Sequence, residues 1–211
     1  MKKFITILAA AIATCGTIGA YAAEGNVNVE KKELAPGKKS HDNVRDFKAN
    51  ATSGGEVILD ETFSFCKGSE SAPIAIEVDD NMVAPAEMMG GKEGFGGEGL
   101  KQADGAIFVG FEIGDGFLQT PEFFDTDAVT VEFEVKPASK INGTDDLVIM
   151  AGNTDEEYMA DGTAVRLVPG KWTKGSVRLD TSSVASGDPI VVQFSAMYEA
   201  DILLRNIRIT K

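Results

Sequence analysis

The stretch Ile202-Leu203-Leu204-Arg205-Asn206-Ile207-Arg208-Ile209-Thr210 constrains the fold of this chain more than any other. It alternates apolar and polar residues as a half-buried strand does, but the alternation slips in the middle. Ile202 and Leu204 share one parity, and Ile207 and Ile209 share the other. Side chains in a strand alternate with a period of two. All four can therefore enter one core only if an extra residue is inserted near Arg205 and Asn206. Such an insertion is a β-bulge, which bends the strand and re-aims the side chains beside it. The stretch reads as a core strand that breaks step at a cation and an amide.

The rest of the body carries the same strand rhythm. Val129, Val131, Phe133 and Val135 alternate with Thr130, Glu132, Glu134 and Lys136, the clearest half-buried strand in the sequence. Further strands are expected over residues 57–65, 74–78, 106–111, 147–150, 164–168, 172–179 and 190–197. Asn142-Gly143, Gly152-Asn153, Pro169-Gly170 and Gly187-Asp188-Pro189 punctuate the joins. Many short strands without a long helical period predict an all-β, two-sheet antiparallel sandwich of jelly-roll type. Residues 90–99 break the rhythm with six glycines around Phe95, and are expected to form a mobile loop with that ring at its tip. They lack the Gly-Lys-Ser/Thr ending of a phosphate loop.

The N-terminus reads as an export signal over residues 1–22. Lys2 and Lys3 precede an uncharged apolar run, and Ala20-Tyr21-Ala22 is an A-x-A cleavage site. The alternative is a lipoprotein signal cleaved before Cys15. However, Thr14 precedes that cysteine and the apolar character continues past it to Ile18. Residues 23–55 hold few large apolar side chains and read as a flexible tail, and residues 56–211 as the sandwich. The expected address is periplasmic or extracellular, with no later run long enough to span a bilayer. Removal of the signal leaves Cys66 alone, so no internal disulfide can form and the fold must rest on its core. Cys66 itself reads as a small buried apolar residue.

Residues 56–211 carry 28 acidic and 12 basic side chains, a net charge of −16. Such a surface repels nucleic acid and anionic headgroups. His41 is the sole histidine and falls in the tail, which excludes a histidine-based triad or a histidine-rich metal site. The acidic pairs Asp79-Asp80 and Asp145-Asp146 and the run Asp155-Glu156-Glu157 sit in expected turns. Catalytic carboxylates of a glycosidase must face each other across a cleft, so these read as solvated turn acids. An enzyme is not expected. Among the few aromatic residues available to stack on a ligand, Tyr158, Phe95 and Tyr198 are the candidate binding residues. Trp172 reads as a packing residue at the sandwich edge.

Ordered stretches then carry a resemblance. Ile58-Leu59-Asp60-Glu61-Thr62-Phe63 opens the body. Gly105-Ala106-Ile107-Phe108-Val109-Gly110, Gly116-Phe117-Leu118-Gln119-Thr120-Pro121, Val129-Thr130-Val131-Glu132-Phe133 and Gly170-Lys171-Trp172-Thr173 follow, and Ile202–Thr210 closes it. Together they resemble the galactose-binding-like jelly rolls of bacterial secreted and cell-surface proteins, related in fold to carbohydrate-binding modules. The resemblance implies a non-catalytic module that binds a glycan. The alternative is a structural or adhesive surface component that meets protein partners. It also implies a structural calcium, held by a Glu of the first strand, an Asp of the last and backbone oxygens. Glu61 matches the first position, but the Asp falls on Arg205, with Asn206 after it. A guanidinium cannot ligate a cation. The expectation is that no metal is held and that Arg205 pairs with Glu61 instead.

Overall fold

A computed structural model describes residues 55–110, 116–138, 146–153, 158–196 and 200–211. In chain order the strands are β1 (Val57–Glu61), β2 (Gly68–Ser69), β3 (Ala72–Ala75), β4 (Gly96–Glu98), β5 (Leu100–Ala103), β6 (Ala106–Val109) and β7 (Phe117–Gln119). They continue with β8 (Ala128–Pro137), β9 (Asp146–Asn153), β10 (Tyr158–Arg166), β11 (Thr173–Asp180), β12 (Ile190–Ala196) and β13 (Ile202–Thr210). A single 3₁₀ turn, Ala86–Met89, lies between β3 and β4.

The strands form two antiparallel sheets. The eight-stranded sheet runs β11-β8-β13-β6-β5-β3-β2, with β1 pairing β13 off that path; the five-stranded sheet runs β10-β9-β12-β7-β4. From β8 onward the chain keeps crossing between layers: β8 in the larger sheet, β9 and β10 in the smaller, β11 back in the larger, then β12 and β13 in turn. The protein is a two-sheet antiparallel jelly-roll sandwich, the class its strand rhythm predicts.

The alternation of β8 does what its pattern requires. Val129, Val131, Phe133 and Val135 enter the core, where they meet Ile149 of β9 and Phe194 of β12 from the opposite sheet. Phe133 and Phe194 bridge the layers edge to face at 5.9 Å between centroids. Burying each such side chain stabilises the fold by about 1.5–3 kcal/mol.

The slipped alternation of β13 is a bulge. Its pairing with β8 shifts register between Arg205 and Arg208, and Asn206 adopts the left-handed region at φ 52°. Ile202, Leu204, Ile207 and Ile209 consequently all enter the same core. The bulge also divides the strand's other edge: Ile202–Leu204 pair with β6, whereas residues from Ile207 to Thr210 pair with β1.

Two local expectations need correction. The first strand ends at Glu61, not at residue 65, because Phe63 turns to φ 57° and Cys66 N–H donates to the Phe63 carbonyl at 2.9 Å. The glycine-rich segment is structured: Gly96–Glu98 is β4, paired with β7. A Cβ at Gly97, φ 149°, would collide with the Phe117 carbonyl oxygen. That glycine serves close backbone approach, not mobility.

Candidate functional site

The five-stranded sheet has two faces. Leu118, Ile149, Ala151, Val192 and Phe194 point into the core between the sheets. Their neighbours in sequence therefore point outward, and the register arranges them in two rows that cross all five strands. One row is Gly96–Gln119–Gln193–Met150–Gly162, and the other is Glu98–Phe117–Ser195–Val148–Ala164.

Among the described residues, these rows carry two of the three buried side-chain atoms that lack a hydrogen-bond partner. Gln119 and Gln193 stand directly opposite each other, and each is only 4% exposed. The Gln193 amide donates from Nε2 to Ser195 Oγ at 2.9 Å. The Oε1 atoms of both glutamines are buried without a hydrogen-bond partner among the described residues. A buried amide oxygen left unpaired costs about 1–3 kcal/mol, so the two side by side are a polar feature of this face that the described residues leave unsatisfied. Phe117 and Met150 lie in the same rows and flank the amides with apolar and polarisable side chains that are themselves buried, 2% and 5% exposed. Neither histidine nor cysteine occurs in the rows, and Glu98 at one end is their sole carboxylate. The chemistry the rows offer is acceptance of hydrogen bonds, flanked by apolar contact.

The residues singled out from sequence fall elsewhere. Phe95 is buried, 1% exposed, with its ring packed edge to face on Phe63 at 5.8 Å between centroids. It is a core residue, and the reading of it as a ligand-facing loop tip is corrected. Tyr158 opens β10 opposite Asn153, but its side chain lies outside the described residues, as does Tyr198 altogether. Trp172 packs against the apolar cluster of Ala103, Ala106, Phe108 and Leu203 on the outer face of the larger sheet, in keeping with its expected packing role. Asp79 accepts from the Asn81 and Val83 backbone N–H groups, both at 2.9 Å, and is the turn acid it was expected to be. Sequence reasoning missed Gln119 and Gln193. They are far apart in the chain, and only the β7–β12 register sets them side by side.

Arg205 and Glu61 do not form the pair expected of them. Arg205 points to the outer face of the larger sheet, donates from Nε to Glu134 Oε2 at 2.8 Å and stacks its guanidinium 4.0 Å from the Trp172 ring centroid. Asn206 and Lys174 also donate to Glu134. Burial pushes the Glu134 carboxyl up, but the hydrogen bonds from Arg205 and Lys174 outweigh it and hold the group below the usual carboxylate range. Glu61 pairs in register with Ile207, on the inward side of the bulge, so the two groups face opposite sides of the sheet.

A calcium shell of the kind the resemblance implies does not fit these residues. Glu61 Oε1 accepts the Phe63 N–H at 2.6 Å, and its Oε2 lies against the Lys92 ammonium. Arg205 and Asn206 are turned away to Glu134. Among the described residues no cluster of three or more His, Cys, Asp or Glu is placed to hold a metal ion. The Cys66 thiol is pushed up to about 12, by burial first and by the nearby Glu61 charge second. It is a poor nucleophile and behaves as the buried apolar residue its context suggests.

No protein-family profile matches this chain, and no curated protein does. The chain is similar to several solved structures. The CBM22-1 xylan-binding domain of Paenibacillus barcinonensis Xyn10C is 13% identical, with a TM-score of 0.43 over 76% of this chain and 97% of that one. The K3 adhesin domain of Lys-gingipain from Porphyromonas gingivalis is 16% identical, with a TM-score of 0.43 over 74% and 100%. A CBM4 module is 14% identical, with a TM-score of 0.43 over 68% and 96%. Two of these three neighbours are carbohydrate-binding modules and one is an adhesin domain.

Proposed function

We propose that this chain is an exported, non-catalytic binding module for neutral glycans, and that it binds them on the outward face of the five-stranded sheet. The observation that carries the reading is the pair of buried Oε1 atoms of Gln119 and Gln193, unpartnered among the described residues. Sugar hydroxyls are the donors such acceptors call for, and binding has to open this face, because Gln119, Gln193, Phe117 and Met150 are 2–5% exposed. The net charge of −16 over residues 56–211 disfavours polyanionic glycans and nucleic acid. Export rests on the N-terminal signal pattern, and among the described residues no helix is long and apolar enough to cross a membrane. The competing reading, an adhesive component that meets protein partners, calls for a contiguous apolar patch. The large exposed apolar residues described, Val57, Ile74 and Phe124, stand on three separate segments.

The test is a glycan-array screen of the full chain beside the double variant Gln119→Leu/Gln193→Leu. Wild type should retain neutral oligosaccharides. The variant should lose them while still melting as a folded protein, because the relief of two unpaired buried oxygens offsets the loss of the Gln193 bond to Ser195. Retention of glycans by the double variant would overturn the assignment of the surface, and an array blank for wild type would overturn the reading itself.

A further inference from the structure

Glu61 ends β1 with a carboxylate that is 2% exposed, set beside Phe63 and Cys66 at the rim of the core. A buried carboxylate must be neutralised or paired. Oε1 is satisfied by the Phe63 N–H, which the turn at φ 57° aims back at it. Oε2 takes no hydrogen bond among the described residues, and the group set against it is the ammonium of Lys92. Lys92 belongs to the segment between the 3₁₀ turn and β4, which the sequence presents as a glycine-rich loop. The 3₁₀ turn that precedes the segment is anchored separately, where Gln102 Nε2 donates to the Met88 carbonyl at 2.7 Å while Gln102 Oε1 accepts the Lys67 N–H at 3.0 Å.

We infer that Lys92 is the built-in counter-ion of Glu61, standing where a divalent cation would otherwise be needed. The ammonium reaches a buried carboxylate from a partly exposed stem, as long basic side chains do. It supplies the one positive charge the carboxylate requires and leaves Oε2 closed to a metal. The pair also ties the glycine-rich segment to the first strand, so the cation that neutralises Glu61 fixes a connection that has little apolar anchoring beyond Phe95 and Met89.

Thermal unfolding of the full chain, in the presence of calcium and of a chelator, tests this. The two wild-type melts should superimpose. Lys92→Met should lower the melting temperature by on the order of 5 °C, a figure discounted for the partial exposure of Lys92. Lys92→Arg should retain most of the wild-type value. Against a Glu61→Gln background the further loss on changing Lys92 to Met should shrink to about a third or less, as a double-mutant cycle requires of a true pair. That arm holds even where Lys92→Met alone fails to fold. The inference is overturned by a chelator-induced fall in the wild-type melting temperature that calcium restores. It is equally overturned by a Lys92→Met loss that is undiminished in the Glu61→Gln background.

Discussion

Arg205 and Asn206 are consecutive, yet both donate to the same carboxylate, Glu134 of β8. In a regular strand their side chains would leave opposite faces of the sheet. The bulge turns both to the outer face, and a slip that lets Ile207 and Ile209 reach the core thereby also builds a polar cluster on the other side of the sheet.

The Glu134 cluster makes stability depend on pH. The folded carboxyl is held below the usual range, so its stabilising contribution is complete above the unfolded carboxylate pKa and is lost as pH falls through the folded value. Glu134→Gln should therefore be less stable than wild type at neutral pH, by about 1–2 kcal/mol. The gap should close in acid below the ordinary carboxylate range. Urea unfolding of both proteins across that range measures it, and a gap that widens in acid would contradict the assignment.

Asn206 should tolerate one kind of substitution and not another. At φ 52° it occupies a region that glycine enters freely and β-branched residues do not. Asn206→Gly should stay within about 1 kcal/mol of wild type even though it forfeits the bond to Glu134. Asn206→Val should cost roughly 2–3 kcal/mol through strain and that lost bond together. Equal losses in chemical denaturation would mean that the backbone is not what constrains the position.

Gly97 should admit no side chain. Its Cβ would collide with the Phe117 carbonyl, a backbone atom in a paired strand that cannot step aside cheaply. Gly97→Ala is expected to cost more than about 2 kcal/mol and to raise amide hydrogen exchange along β4 and β7 first. Gly91, where a Cβ meets nothing, is the control position, with its positive φ of 83° leaving only a smaller strain on the order of 1 kcal/mol.

Cys66 should label only when the chain unfolds. Its thiol is buried and pushed up to about 12, so thiolate is scarce in the native state at neutral pH. Labelling by a thiol reagent should follow the unfolding equilibrium as denaturant is added. Rapid labelling without denaturant would place Cys66 in a more open setting than the core.

The parts of this fold that rest on local pattern were legible in the sequence. The alternation of Val129 to Val135 and the broken alternation of β13 both report which side chains face the core, and a strand's own residues carry that information. Phe95 was misread because glycine has two uses: it loosens a loop, and it lets two backbones touch. The partner that separates these cases, the Phe117 carbonyl, lies on another strand. Arg205 was matched with the wrong acid for a similar reason. Both Glu61 and Glu134 are adjacent to β13, and only the side from which the bulge projects Arg205 decides between them. The glutamine pair was invisible because each residue alone is an ordinary strand polar residue.

The position of β13 bears on how the chain is made. It pairs with β8 along one edge and with β6 and β1 along the other, so the first strand synthesised and several later ones all wait for it. The larger sheet cannot be completed until Ile202–Thr210 has been made, because β13 joins the β11–β8 pair to β6 and β1, and Val57 and its partner Thr210 are separated by most of the chain. Topologies with such distant contacts form slowly. During synthesis the earlier strands remain without their central partner, which is the unfolded condition a chain needs if it is to be threaded through a narrow translocation channel.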